Sequence, residues 1–209
     1  MRVKLLTTAD HLATMEHNAA YAMLRCHANT ERLEHEPART FIEKAIKMKH
    51  DSILEHITLT YEVNDLSRAC LQELARHRHI SLSVESTRHT LKQQLKSDEI
   101  IISLPDGIDK ELQLIICDYL QSLINYVRSN PNVQNDVLKY AIPECVCTNL
   151  VLTANVHELH HIVKLRTAPA ALKEFQQLAH EFVNSLPDNF KYLLGPCVYD
   201  KLELEKMKL

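Results

Sequence analysis

Glycine is almost missing from this sequence. Only Gly107 and Gly195 occur among its 209 residues. A Gly-rich phosphate loop and the G-x-G-x-x-G dinucleotide fingerprint both need closely spaced glycines, because the backbone must approach phosphate oxygens. Neither motif is present. If a nucleotide binds, side chains must hold its phosphates.

Long apolar runs are also missing. The first residues, MRVKLLTTADHLATMEH, lack the roughly 7 to 15 consecutive apolar residues of a signal peptide. No later run approaches the roughly 18 apolar residues of a membrane span. We therefore expect a soluble, cytoplasmic protein that does not bind membranes.

An excess of positive charge is missing as well. The net charge is −3 and the isoelectric point is about 6.5, whereas nonspecific nucleic-acid binding needs a basic face across a domain.

The six cysteines form no Cys-x-x-Cys pair, so we expect buried or half-buried thiols and no metal site. Without a linker rich in Pro, Gly or Ser, residues 1–209 are predicted to form a single domain.

Positive charge is instead concentrated in residues 76–90. This segment holds three arginines, three histidines, three serines and two threonines. Arginine forks match phosphate and carboxylate oxygens, and hydroxyl groups add neutral donors. One alternative is a solvated basic turn at the C-terminal end of a helix. The length and density of the whole run favour an anion-binding site.

Hydrophobic periodicity predicts helices alternating with two strands. Asp10 is predicted to cap the first helix, and Ser67 to cap a third helix that continues to His77 and Arg78. Asn64-Asp65 is predicted to form a turn after the first strand, and Pro105-Asp106-Gly107 a turn before the helix at 109–129. Asn155, with Glu158 three residues on, is predicted to cap the helix that follows it. Residues 91–99 give no clear period. The predicted helices are 10–26, 37–50, 67–78, 109–129, 133–141, 171–185 and one that starts after Asn155, and the predicted strands are 57–63 and 148–154.

The helix after Asn155 carries an arginine on its apolar face. Leu159, Ile162 and Val163 form that face, and Arg166 follows four residues after Ile162. An arginine that extends a buried stripe is rarely left without an anionic partner. Arg166 is therefore a candidate functional residue.

The same helix contains His157-Glu158-Leu159-His160-His161, which satisfies the H-E-x-x-H pattern of zinc hydrolases. Such a site needs a third protein ligand, and the downstream G-x-x-H of metzincins does not follow. Zinc hydrolysis therefore ranks below the anion-binding interpretation.

Three segments together resemble the flavin-dependent thymidylate synthase family. Arg76-His77-Arg78, then seven residues, then Ser86, with Arg88 two beyond, resembles the family signature. Upstream, His50-x-Ser52-x-x-Glu55-His56 is similar to the flavin-contacting segment. Downstream, Asn155-x5-His161-x4-Arg166 falls where the family has an asparagine, a polar residue and a characteristic arginine. The matching segments span roughly residues 10 to 185.

The resemblance implies a reaction and a fold. The reaction is methylation of dUMP at C5 to give dTMP, with 5,10-methylenetetrahydrofolate as carbon donor, FAD as hydride carrier and NADPH as reductant. The fold is α+β, with helices packed around a small antiparallel sheet as in thymidylate synthase-complementing proteins. The family assembles as a homotetramer whose active sites are shared between subunits.

The resemblance also implies the roles of individual residues. Arg166 and Ser86 are the expected catalytic residues. The residues expected to bind dUMP are Glu73, Arg76, Val84, Glu85, Ser86, Thr87, Arg88, Lys139 and Arg166. Those expected to bind FAD are His50, Ser52, Arg76, His77, Arg78, Val84, Asn155, Val156, His157 and His161.

Four positions depart from the family pattern. Glu73 stands where a glutamine is usual, Val84 where an acidic residue is usual, and His89 where a tyrosine is usual. Lys139 replaces an arginine, which keeps the charge but loses the bidentate fork. The departures at Glu73, Val84 and His89 support a second hypothesis, a nucleotide-binding or regulatory relative that keeps the anion site but has lost turnover.

Overall fold

The computed structural model describes residues 1–97 and 100–199. The strands are β1 (Arg2–Leu5), β2 (Thr58–Ser67), β3 (Ile80–Val84) and β4 (Cys147–Asn155). The helices are α1 (Ala9–Arg25), α2 (Ala38–Met48), α3 (Arg68–Leu74), α4 (Thr87–Ser97), α5 (Lys110–Ser129), α6 (Asn135–Leu138), α7 (Val156–Arg166) and α8 (Lys173–Asn184). Short 3-10 turns, such as Asp51–His56, connect several of them.

The strands form one sheet in the order β1-β2-β4-β3. The sheet is small and antiparallel in a helix-rich chain, which confirms the predicted α+β class. Over residues 58–63 of β2 the burial alternates from residue to residue, as expected for a strand with one face in the core. Thr60 and Thr153 link the two central strands through their hydroxyl groups at 3.0 Å.

The chain divides into two compact units. Unit 1 comprises Met1–Arg2, Val63–Arg76 and Ser83–Leu150. Unit 2 comprises Val3–Glu62, His77–Leu82 and the described part of Val151–Leu209. The prediction of a single domain over 1–209 stays a prediction, and residues 98–99 and 200–209 lie outside the described residues.

Unit 1 has an apolar core built from helices α4, α5 and α6. The second half of α5 contributes the buried side chains that its sequence pattern predicts. The core residues are Leu91, Leu95, Leu123, Ile124, Val127 and Leu138. This core holds α4, and therefore the residues at its start, in a fixed orientation.

Unit 2 has a core to which α8 contributes two phenylalanines. Phe175 and Phe182 are both fully buried. The rings of Phe182 and Tyr61 lie 4.8 Å apart, and the Tyr61 hydroxyl donates to the Phe182 carbonyl at 3.2 Å. Leu159, Ile162 and Val163 of α7 are buried as their spacing predicts, so the face of α7 that ends at Arg166 is packed.

Several predicted element ends are confirmed. Ser67 caps α3 by accepting from the Cys70 amide at 3.0 Å. Asn155 caps α7 by accepting from the Glu158 amide at 2.8 Å. Gly107 has φ +77° in the predicted turn before α5, a conformation that glycine adopts without a steric penalty.

Two local predictions are wrong. Asp10 lies in the first turn of α1, and Thr8 is the cap, because its hydroxyl accepts from the His11 amide at 3.3 Å. Asn64-Asp65 does not end the first strand, since β2 continues to Ser67. Asp65 takes a left-handed φ of +62°, which aspartate tolerates, and its amide donates to the Asn149 side chain at 3.1 Å.

The basic segment 76–90 differs most from its prediction. Helix α3 ends at Leu74, so His77 and Arg78 do not continue it. Instead, Ile80–Val84 forms strand β3 and Thr87 begins α4. The sequence Ile-Ser-Leu-Ser-Val alternates apolar and polar side chains, the pattern typical of a strand.

The cysteines also differ from expectation in part. All six thiols are free, but Cys26 and Cys117 are exposed rather than buried. In the part of the chain that the structure describes, none of the helices combines the length and apolar character needed to cross a membrane.

Candidate functional site

Arg166 lies at the C-terminal end of α7 in unit 2, and two side chains hold it. Its Nε donates to Nε2 of His77 at 3.1 Å. Its guanidinium lies 4.5 Å from the centre of the Phe175 ring, within the range of a cation–π contact. Packing of α7 and α8 therefore fixes the orientation of the arginine that the sequence analysis singles out.

His77 links Arg166 to the carboxylate of Glu158, which is largely buried. Its Nδ1 lies 3.3 Å from Oε1 of Glu158, and the two side chains are 5% and 11% exposed. Because Arg166 donates to Nε2, that nitrogen carries no proton, and Nδ1–H donates to Glu158. The result is a chain of hydrogen bonds from Glu158 through His77 to Arg166.

The electrostatic surroundings favour the neutral form of this imidazole. Burial lowers the pKa of His77, and the Arg166 charge lowers it further, while the Glu158 carboxylate acts in the opposite direction. The direction agrees with the hydrogen-bond pattern, since a protonated imidazole would have no lone pair to accept from Arg166.

The two histidines of the H-E-x-x-H pattern have separate neighbours. His157 Nδ1 lies 3.3 Å from Oε1 of Glu55 in an exposed pair. The His161 ring lies edge-on to the His77 ring at 5.7 Å. Across residues 1–97 and 100–199, no group of three or more His, Cys, Asp or Glu side chains is arranged to hold a metal ion.

A cavity of about 400 Å³ in unit 2 contains two residues of the predicted flavin segment. His50 and Ser52 line it, and the remaining lining residues are Met23, Cys26, His27, Lys49, Asp51 and Ile53. Arg78, also in unit 2, is exposed. The cavity thus offers hydroxyl, imidazole and ammonium donors, which suit a diphosphate-containing group, together with the Asp51 carboxylate. Arg78 is not among its lining residues.

In unit 1, the start of α4 presents Ser86, Thr87 and Arg88. Ser86 and Arg88 are exposed and Thr87 is half-buried. Arg88 makes a bidentate pair with Asp136, with N–O distances of 2.7 and 3.0 Å. The hydrogen bond from Arg88 lowers the pKa of the Asp136 carboxyl group.

Glu85, also a predicted dUMP residue, is engaged by two amides. Its Oε2 accepts from the Asn149 side chain at 2.7 Å and its Oε1 from the Gln94 side chain at 2.8 Å. Its backbone N–H donates to the Asn149 carbonyl at 2.8 Å. These bonds fix the link between β3 and α4, and hence the backbone just before Ser86.

The other predicted residues of unit 1 lie near the surface. Arg76 pairs with Glu73 at 3.7 Å, and the Arg76 side chain is 77% exposed. Lys139 is exposed, and Val84 is an exposed apolar side chain at 37%. Their exposure leaves Arg76 and Lys139 accessible to an anion.

The family model described as thymidylate synthase complementing protein matches residues 6–189. The chain belongs to this family.

Two relatives of this family member share one name. Flavin-dependent thymidylate synthase from Campylobacter jejuni strain RM1221 is 35% identical, over 75% of this chain and 79% of the relative. The protein of the same name from Helicobacter pylori strain J99 is 34% identical, over 72% and 77%. A crystal structure of the Helicobacter pylori flavin-dependent thymidylate synthase complexed with FAD and dUMP superposes with a TM-score of 0.81. That pair is 29% identical and covers 95% of this chain and 100% of the other.

Sequence reasoning missed several residues that support the predicted ones in this family member. The sequence pattern gives Glu158 a place only in H-E-x-x-H and in the first turn after the Asn155 cap. Phe175 lies within the predicted amphipathic helix 171–185, where nothing local distinguishes it from other apolar residues. No local sequence pattern indicates the roles of Asp136 and Asn149. Asp136 contacts Arg88, 48 positions away in the chain, and Asn149 contacts Glu85, 64 positions away.

Proposed function

We propose that this chain is an FAD-dependent thymidylate synthase, which methylates dUMP at C5 to give dTMP. The carbon donor is 5,10-methylenetetrahydrofolate and the reductant is NADPH. The proposal rests above all on the family match over residues 6–189. The relatives' shared name and the FAD and dUMP in the similar crystal structure support it.

The donor set in unit 2 fits FAD. His50 and Ser52 line a cavity, and the exposed Arg78 supplies a guanidinium for the diphosphate. We assign Asn155, Val156, His157 and His161 of α7 and its cap to the same cofactor, with Arg76, Val84 and the backbone of His77 at the basic segment. Bound FAD would supply hydride transfer, which amino-acid side chains do not provide.

Arg166 is proposed to activate the nucleotide base. C5 of uracil is a poor nucleophile until negative charge on the ring is stabilised, and an oriented guanidinium stabilises such charge. His77 holds the Nε edge and Phe175 holds one face, so the group needs little reorganisation during the reaction.

The phosphate and sugar of dUMP are assigned to the unit 1 residues. Arg76, Arg88 and Lys139 provide positive charge, and Ser86 and Thr87 provide hydroxyl donors. Arg88 is held by Asp136, so binding through Arg88 requires sharing or exchanging that partner. Glu85 acts by fixing the backbone before Ser86, and Glu73 and Val84 complete the assigned set.

We further propose that the protein acts in the cytoplasm as a homotetramer with active sites shared between subunits. The resemblance to the family supports this assembly.

Two measurements on the purified protein test the proposed function. The absorption spectrum should show flavin bands, and NADPH oxidation should be stimulated by dUMP. Flavin without dUMP-stimulated oxidation would favour the nucleotide-binding relative that has lost turnover. A colourless protein with stoichiometric zinc would favour the hydrolase.

A further inference from the structure

Helix α4 forms one wall of an open groove of about 440 Å³ in unit 1. We call it the α4 groove, lined by His89, Lys92, Gln93, Lys96, Ser97 and Asn135. Its size is in the range of small-molecule sites. The groove lies one turn and more beyond Ser86 and Arg88, and the proposed dUMP residues do not line it.

Backbone contacts hold part of the lining in place. Lys92 is half-buried, and its ammonium donates to the Pro131 carbonyl at 3.2 Å. The Asn135 side chain accepts from the Lys92 amide at 2.9 Å and donates to the Arg88 carbonyl at 2.8 Å. Lys92 therefore presents its charge from a fixed position, which reduces the entropic cost of binding an anion.

The charged groups among the described lining residues are of one sign. They comprise two ammonium groups one helical turn apart and an imidazole, beside two amides and a hydroxyl, and none of the six described lining residues is a carboxylate. Asp98 and Glu99, which follow Ser97 in the sequence, lie outside the described residues. A neighbouring cavity of about 360 Å³ shares His89 and Asn135 with the groove and also includes Arg88 and Asp136. Both carboxylate oxygens of Asp136 already accept from Arg88.

A solvated helix face would also carry lysines. Three features separate the α4 groove from such a face: it is concave, one of its lysines is anchored, and it adjoins a cavity that contains Arg88. In a chain with net charge −3, a concave surface whose described lining groups are all cationic or neutral attracts anions.

We propose that the α4 groove binds the anionic end of a co-substrate, through carboxylates or a phosphate. The inference rests on the proposed function, which supplies two sources of that chemistry. One is the γ-glutamyl carboxylates of the folate donor, and the other is the phosphate that distinguishes NADPH from NADH. In either case the lysines contact a part of the molecule remote from the reacting atoms, so they lower the KM of that co-substrate.

Charge changes at Lys96 test the groove. Lys96 is exposed and lines the groove. Lys110 at the start of α5 is an exposed lysine of the same unit outside the groove. The variants are Lys96→Gln, Lys96→Glu and the matched control Lys110→Glu. KM is measured for methylenetetrahydrofolate with one and with three glutamyl residues, and for NADPH and NADH. Calorimetric titration with pteroyltriglutamate gives a readout that does not require turnover.

The expected changes are specific to one co-substrate. If the folate tail occupies the groove, Lys96→Gln raises the KM of the triglutamate about threefold and Lys96→Glu about tenfold, and the affinity for pteroyltriglutamate falls in parallel. If the NADPH phosphate occupies it, the KM of NADPH rises in the same way while that of NADH does not. The control Lys110→Glu leaves the KM values of the folate substrates and of NADPH unchanged.

Two results would overturn the proposal. One is that Lys96→Glu alters each KM and the calorimetric affinity by less than about twofold. The other is that Lys110→Glu reproduces the effect of Lys96→Glu, which would mean a general effect of net charge. A wild-type protein that forms no dTMP contradicts the proposed function instead, and that outcome is separate because the titration still reports on the groove.

Discussion

Arg166 donates its Nε hydrogen to Nε2 of His77 across 3.1 Å. The imidazole can accept this hydrogen bond only in the tautomer that carries its proton on Nδ1. In that tautomer Nδ1–H donates to Oε1 of Glu158, which lies 3.3 Å away. Glu158 thus sets the tautomer of His77, and His77 sets the orientation of Arg166. Both ring nitrogens of His77 are used in this way, so its side chain serves as a positioning group for Arg166.

Removing the imidazole should lower turnover more than flavin content. His77→Ala leaves Arg166 without its Nε acceptor, and we expect kcat for dTMP formation to fall roughly 100-fold, the scale of a misplaced catalytic group. His77→Gln places an amide oxygen near the position of Nε2 and should retain more of the activity. Steady-state kinetics with dUMP, together with flavin absorbance per subunit, distinguish a loss of turnover from a loss of flavin binding. Equal loss of flavin and activity in both variants would instead support a direct contact of the His77 side chain with FAD.

The ring of Phe175 should matter for activity as well as for stability. Phe175 and Phe182 are both fully buried on α8, but only Phe175 lies against the Arg166 guanidinium at 4.5 Å. Phe175→Leu and Phe182→Leu should each lower the free energy of unfolding by about 1–3 kcal/mol. Only Phe175→Leu should also lower kcat, by about tenfold. Similar kcat values for the two variants, measured well below their melting temperatures, would argue against a role for the cation–π contact.

Two histidine–glutamate pairs with the same 3.3 Å separation should differ in energy. His77 and Glu158 are 5% and 11% exposed, whereas His157 and Glu55 are 45% and 56% exposed. Glu158→Gln should therefore lower the free energy of unfolding by about 1–3 kcal/mol, and Glu55→Gln by less than about 0.5 kcal/mol. Urea unfolding of the two variants measures the difference. Equal effects would mean that burial does not strengthen the His77–Glu158 pair.

Stability should fall as the pH drops below neutrality. Burial is the main cause that lowers the pKa of both His77 and His160 in the folded chain, whereas an unfolded histidine titrates near about 6.5. The unfolded state therefore binds more protons, so the contribution is complete above about pH 6.5 and is lost as the pH falls toward the folded pKa values.

Urea unfolding at pH 7.5 and pH 5.5 tests this direction. The free energy of unfolding should be lower at pH 5.5, and His77→Gln and His160→Gln should each reduce the difference. The control is His17→Gln, since His17 is exposed on α1. An unchanged or higher free energy of unfolding at pH 5.5 would contradict the assigned neutral state of His77 and His160.

The sequence predicted those parts of the fold that depend on local pattern. The stripe of α7, its Asn155 cap and the Ser67 cap are all short-range features, and the structure confirms them. The predicted continuation of α3 to His77 and Arg78 was wrong, because α3 ends at Leu74 and the alternating residues Ile80, Leu82 and Val84 form strand β3. Strand pairing decided that segment, and pairing depends on residues far away in the chain.

The candidate site was predictable by residue type but not by contact. Arg166 was identified from its place on a packed face, and His77 from the density of basic residues around it. Their contact could not be predicted from the sequence, because the two residues are 89 positions apart in the chain. The supporting roles of Glu158 and Phe175 depend on the same tertiary packing, because neither residue differs locally from a surface glutamate or a core phenylalanine.

The most direct test of the account is product formation by wild type and the Arg166→Ala variant. Purified protein is supplied with FAD, NADPH, methylenetetrahydrofolate and dUMP, and dTMP is quantified by chromatography. We predict that wild type forms dTMP and that Arg166→Ala, with the flavin still bound, forms at least about 100-fold less. Wild-type rates of dTMP formation by Arg166→Ala, or no dTMP from the flavin-loaded wild type, would contradict the account.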